Sequence, residues 1–234
     1  MDLLDDVLAV LASADDLYKR RGEPGAVKQS VELLARLPGA NDLYEVQWRL
    51  GRALFFLGQA AATQAAKQQL HAAGIGAGKR AVALVPGRVE GRFWLGVNLA
   101  LFAEASGGLR AIRAVVRARR ELKRAAKIDE SYHAAGPLRV LGRLHHKSPW
   151  FLGGSLTRSK EYFDRALALA PNNSVTLLYA AEQALDSGDP ARAASLLGRI
   201  IERCDDETWS FENQRDKALA KSMIERLRFP PQSP

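Results

Sequence analysis

The residues of this 234-residue chain that could do chemistry are a glycine run ending in two cations, four histidines, one cysteine and a dense row of arginines and lysines. The run Gly74-Ile75-Gly76-Ala77-Gly78-Lys79-Arg80 invites comparison with a phosphate-cradling loop. It fails at two points. Ala73 stands where the first glycine belongs, and Arg80 stands where a Ser or Thr hydroxyl must reach magnesium. No strand pattern precedes it, so close helix packing or a bend is the expected role. His71, His133, His145 and His146 share no metal-ligand spacing, and adjacent histidines on a helix point about 100° apart. His145 is expected to face the core and His146 to lie nearer solvent. Cys204 sits beside Glu202, Asp205 and Asp206, carboxylates that disfavour a thiolate. Neither a Ser-His-Asp set nor a pair of carboxylates in a catalytic frame is visible. The expectation is a binding protein without catalytic residues, metal or cofactor.

The basic row is more specific. Residues 110–127 hold eight cations against one acid, Glu121, which supplies most of the formal net charge of +8. On a helix, Arg110, Arg113, Arg117, Arg120, Arg124 and Lys127 fall in one stripe about 100° wide. Ala111, Ala114, Ala118, Leu122 and Ala125 then form the opposite, packing face. The stripe reads either as a solvated outer face or as a docking surface for an acidic protein partner, an anionic lipid or a nucleic acid. Nucleic acid is the least favoured of these, because no aromatic platform is interleaved with the charges.

A second candidate is Ser148-Pro149-Trp150-Phe151-Leu152-Gly153-Gly154-Ser155, which puts three large apolar residues together between a proline and a glycine pair. They either cap the core beneath or form a lip over a ligand cavity or an oligomer contact. Trp48, Phe55, Phe56, Phe93, Trp94 and Phe102 recur at helical spacing and either fill a core or line a concave pocket.

These residues must be positioned by helices. Ala, Leu and Arg dominate and β-branched runs are scarce, a mixture that favours helix. Leu50-Gly51, Leu95-Gly96, Leu141-Gly142 and Ala180-Ala181 recur at spacings of 45, 46 and 39 residues, each inside an amphipathic stretch. A second helical stretch follows each one, ending at Pro86, Asp129-Glu130, Pro171 or Asp205-Asp206. Such periodicity marks a helical solenoid. A small residue late in the first helix lets the second approach, and the second contributes a face such as Phe163 with Ala166 to fill the gap. Gly188-Asp189-Pro190 and Pro171-Asn172-Asn173-Ser174 supply turns and helix caps. The expected architecture is all-α, with five helix pairs near residues 3–38, 41–86, 90–130, 137–171 and 174–204 and a closing helix near 208–228. They are expected to form a single domain over 1–229, followed by a disordered tail at 230–234.

The small, aromatic and proline positions resemble the tetratricopeptide repeat, best over residues 137–205. Three segments carry a closer resemblance. These are Gly78–Pro86 running into Val89–Asn98, then Gly136–Leu144, then Pro149–Ser155. Together they resemble the T-component proteins associated with bacterial TRAP transporters and, to a lesser degree, the regulator-of-microtubule-dynamics family. The T-component resemblance implies a helical periplasmic lipoprotein able to form a homo-oligomer. It implies a protein partner, the substrate-binding protein, and an apolar small-molecule ligand in an internal channel. On the matched motifs the working surface would be a concave groove with Trp94, Asn98 and Arg139, together with the Trp150, Phe151 and Leu152 loop. The acidic start, Met1-Asp2-Leu3-Leu4-Asp5-Asp6, does not read as an export signal, and no run is long enough for a membrane span. The sequence as it stands therefore reads as cytoplasmic. A preceding leader would make it periplasmic.

Overall fold

The computed structural model describes residues 3–228, and the tail expected at 230–234 lies outside them. Among the described residues there are eleven α-helices and no strand. In chain order they are α1 (Leu3–Lys19), α2 (Ala26–Ala35), α3 (Tyr44–Ala60), α4 (Gln64–Leu84), α5 (Val89–Ala105), α6 (Gly108–Ile128), α7 (Tyr132–Lys147), α8 (Leu156–Leu169), α9 (Ser174–Asp186), α10 (Pro190–Arg203) and α11 (Ser210–Arg228). Consecutive helices pack as antiparallel pairs of a helical-repeat solenoid, and the five expected pairs and the closing helix are all present. Two compact units divide the chain, the first through Asp129 and the second from Glu130.

The recurring small residues do what their spacing suggests. A Cβ on Gly96 would lie 2.7 Å from Leu122 of the paired helix, and one on Gly142 would lie 2.8 Å from the Phe163 ring. Each glycine is thus the seat of its partner helix's bulky residue, which is why a larger side chain is excluded there. In the first unit Leu11, Ala14, Leu34, Val46, Leu50 and Ala77 form one buried cluster, while Phe93 and Trp94 are also buried. In the second, Phe163, Leu177, Leu197 and Ile200 pack with small alanines at 180, 181, 184 and 193.

Helix ends follow local chemistry. Asn173 Oδ1 accepts from the Thr176 N–H at 3.0 Å, and Asp189 Oδ1 accepts from the Arg192 N–H at 2.9 Å. These side chains satisfy amides that the first turn of a helix leaves without partners. The glycine run 74–78 lies inside α4, where Gly74 and Gly78 face α5. A Cβ on Gly78 would meet the Leu95 backbone at 2.8 Å.

The opening of α7 departs from regular helix. His133, Ala134 and Ala135 all have left-handed backbone angles, with φ of 55°, 53° and 56°. Right-handed helix resumes beyond them at Gly136-Pro137, where a proline near the start of a helix removes no needed N–H. A residue before proline also avoids helical angles, but that rule does not foresee a left-handed turn of three non-glycine residues.

Candidate functional site

In the second unit, the segment between α7 and α8 is a closed, hydrogen-bonded loop. The N–H groups of Leu152 and Gly154 both donate to the Pro149 carbonyl, at 3.0 and 2.9 Å, and the Gly153 N–H donates to Trp150 at 2.9 Å. From α7, His145 Nδ1 donates to the Gly153 carbonyl at 2.8 Å, while the His145 carbonyl accepts from the Ser155 N–H at 2.9 Å. Gly153 has a φ of 78°, and a Cβ on Gly154 would fall 1.8 Å from the Ser148 carbonyl oxygen. Both glycines are therefore demanded by the loop geometry. What this frame presents is apolar. Trp150 is 84% exposed and Phe151 64% exposed, their rings edge to face with centroids 5.9 Å apart. Leu152 is half-buried.

Arg139, also in the second unit, is buried. Its Nη1 donates to the carbonyl oxygens of Ala134 at 2.9 Å and His133 at 3.4 Å, and to Asn173 Oδ1 at 3.3 Å. Its guanidinium lies 5.5 Å from the centre of the Trp209 ring. Burial pushes its pKa down to about 10, which still leaves it a cation at neutral pH. Asp216, buried on α11, accepts from Ser174 Oγ at 2.9 Å and from Arg215, and desolvation raises its carboxyl.

Trp94 and Asn98 are brought together in the first unit. Asn98 Nδ2 donates to the Gly51 carbonyl at 2.9 Å and to the Trp94 carbonyl at 2.8 Å. Both amide hydrogens are thereby used, so Oδ1 accepts from His71 Nδ1 at 3.2 Å, which fixes the histidine tautomer. Trp94, Asn98 and Arg139 are all buried. None offers its side chain to a partner at the surface, and interior contacts explain their types.

His145 is buried as expected, against the loop. His146 is a correction. Expected nearer solvent, its side chain is 1% exposed, because α9 supplies Asp186 over that face and His146 Nε2 donates to Asp186 Oδ2 at 2.7 Å. Cys204 is buried, its thiol donating to the Asn172 carbonyl at 3.0 Å, and desolvation pushes its pKa up to about 11. That opposes thiolate chemistry. Among the described residues, no group of three or more His, Cys, Asp or Glu is placed to hold a metal ion.

The basic row occupies α6. Arg110, Arg113, Arg120, Arg124 and Lys127 are exposed and Arg117 is half-buried, while Ala114, Ala118, Leu122 and Ala125 are buried. Glu121 turns inward and receives Arg92 of α5 at 2.9 Å, with Arg124 at 3.3 Å and Arg120 at 3.4 Å.

Residues 52–226 match the family model described as TRAP transporter T-component. The chain belongs to that family. The T-component match begins within α3 and runs into the last turn of α11, taking in both the Trp150 loop and the basic helix. No curated protein matches the chain. Solved structures agree on the fold. The thermophilic tetratricopeptide protein TTC0263 of Thermus thermophilus superposes with a TM-score of 0.71 at 18% identity, covering 93% of this chain and 98% of its own. The pilF protein of Pseudomonas aeruginosa gives 0.58 at 13% identity, covering 99% and 95%.

Two features escape sequence reasoning. The Arg139 clamp on the left-handed turn has no spacing signature beyond Gly136-Pro137. The His146–Asp186 pair joins residues 40 positions apart that only the packing of α9 beside α7 reveals.

Proposed function

We propose that this T-component protein is a non-catalytic binding protein that docks a protein partner of a TRAP transporter through Trp150 and Phe151. The observation that carries the reading is the exposure of two aromatic rings on a loop held by five hydrogen bonds and two obligatory glycines. Exposed aromatic clusters mark interaction sites. A loop already held in one conformation loses little further freedom on binding, so its rings can contribute as anchors. The family match supports this reading, in which the partner is the transporter's substrate-binding protein, the setting periplasmic and the cargo an apolar small molecule.

The test is titration of the purified protein with the substrate-binding protein of its own transporter, followed by calorimetry. Trp150→Ala and Phe151→Ala should each weaken binding by about tenfold or more. Unchanged affinity in both variants rejects the loop as the docking site. Light scattering on the same variants separates this reading from a homo-oligomer contact, in which the variants would change the protein's own mass.

A further inference from the structure

Beyond that docking loop, we propose that the outer face of α6 is a peripheral docking surface for an anionic phospholipid bilayer. Its charge alone would not single out lipid. The deciding feature is a row of aliphatic side chains among the cations. Leu109 is 70% exposed and Val116 59% exposed, with Ile112 half-buried between them. Residues 109, 112 and 116 stand at spacings of three and four, so they form one seam along the first half of the helix. Arg113, Arg120, Lys123 and Lys127 lie on or beside the line of that seam, with Arg110, Arg117 and Arg124 along one flank. The inner face remains packed on α5 through Ala114, Ala118 and Leu122, so the seam faces outward with the fold intact.

The electrostatics support one sign only. Glu121 is the single acid of α6, and it is buried and engaged by Arg92, Arg120 and Arg124. Apart from Arg120 and Arg124, the cations of the outward face, among them Arg110, Arg113, Lys123 and Lys127, therefore have no carboxylate of their own helix to oppose them. Long basic side chains can extend their charged ends to phosphates while their stems lie along an apolar layer. An aliphatic seam flanked by such chains is the pattern of a helix lying in a membrane interface. An acidic protein would answer the cations but would leave Leu109 and Val116 without a use. A nucleic acid would do the same, and the face offers no aromatic ring for base stacking. An anionic bilayer answers both features at once.

The experiment is sedimentation of the full chain with phosphatidylcholine vesicles, with and without about one-quarter phosphatidylglycerol. Binding should require phosphatidylglycerol and fade as salt rises from about 0.05 to about 0.5 M. Arg113→Gln with Lys123→Gln should lower partitioning about thirtyfold, roughly fivefold for each charge. Leu109→Ser with Val116→Ser should lower it about tenfold. Leu169→Ser, another exposed aliphatic on a different helix, should leave it unchanged, and circular dichroism confirms that each variant folds. Equal binding to both vesicle types overturns the proposal. So does a serine pair that binds as the parent does, which leaves only a charge-driven surface. Tighter binding of poly-glutamate or of an RNA oligonucleotide than of the vesicles also overturns it, in favour of those partners. These readouts do not involve the Trp150 loop, so this proposal and the docking reading fail independently.

Discussion

The guanidinium of Arg139 donates to the carbonyl oxygen of Ala134 at 2.9 Å, gripping from inside the helix a left-handed turn just before it. Three consecutive non-glycine residues in that region cost about 1–2 kcal/mol each. The turn persists because its carbonyls, facing the interior, receive charged donors there, a strong class of hydrogen bond. Replacing Arg139 with Met should leave the Ala134 and His133 carbonyls short of a donor, while Asn173 Oδ1 keeps the Thr176 N–H and hydroxyl, and destabilise the protein by about 3 kcal/mol. Urea denaturation monitored by circular dichroism would measure it, and a loss below about 1 kcal/mol would show that the turn does not depend on the clamp.

The same turn predicts a gain. Ala134 has a φ of 53°, where glycine pays no steric penalty. Ala134→Gly should stabilise the fold by up to about 1 kcal/mol, net of the greater freedom glycine gives the unfolded chain. A lower melting temperature for this variant would contradict the strain argument.

Two glycines of α4, two positions apart, should respond with opposite signs. At Gly78 an added Cβ would press on the Leu95 backbone at 2.8 Å, which cannot rotate away. Gly78→Ala should cost about 2 kcal/mol as the α4–α5 contact is forced apart. At Gly76 the nearest atom, at 3.8 Å, is the mobile end of Arg80. Gly76→Ala should add about 0.5–1 kcal/mol through helix propensity. Thermal melts of the two variants decide the matter by their difference in sign.

The repeat was legible in the sequence because its signal is local. Gly96 and Gly142 recur at a solenoid period, and each proves to seat a bulky residue of the next helix, Leu122 and Phe163. Pro137 likewise marks where right-handed helix resumes in α7. Exposure was not legible in the same way. Trp94 and Trp150 are both tryptophans beside apolar neighbours, yet one is buried and the other stands in solvent. The difference lies in the hydrogen bonds that fold residues 149–155 into a closed loop, and these are made by backbone atoms and by His145. His146 was misplaced for a related reason. A helix in a solenoid is covered by its own partner and also by the next pair, so a position outside the first interface can still be buried in the second.

Two buried histidines should make stability fall under mild acid. Burial lowers the pKa of both His71 and His146 from the ordinary 6.5. Below about pH 6.5 the unfolded chain takes up protons that the folded protein refuses. Their contribution is thus fully present above that pH and is lost as pH falls towards the folded values. Each histidine can contribute at most about 1.4 kcal/mol per pH unit. Asp216, whose carboxyl is raised, acts in the opposite sense, so the comparison is made against His146→Gln, which leaves Asp216 in place. Urea melts between about pH 7.5 and 5.5 should show a shallower fall for the variant than for the parent. Parallel curves would mean that His146 keeps its ordinary affinity for protons.

Gly154 and Trp150 should separate the frame of the loop from what it displays. Trp150 is 84% exposed, so Trp150→Ala removes little packing and should change stability by no more than about 0.5 kcal/mol. Gly154→Ala places a methyl group where the Ser148 carbonyl oxygen already sits. The loop must then open, losing the Gly154 to Pro149 hydrogen bond and the alignment of Gly153 with His145. That change should cost about 2 kcal/mol or more while leaving both aromatic rings in the chain. If the rings act as preorganised anchors, both variants weaken partner binding, one by deleting an anchor and the other by releasing it. Should Gly154→Ala destabilise the protein yet bind its partner as tightly as the parent, the rings would work equally well from a loose segment. The closed loop would then be a feature of folding alone.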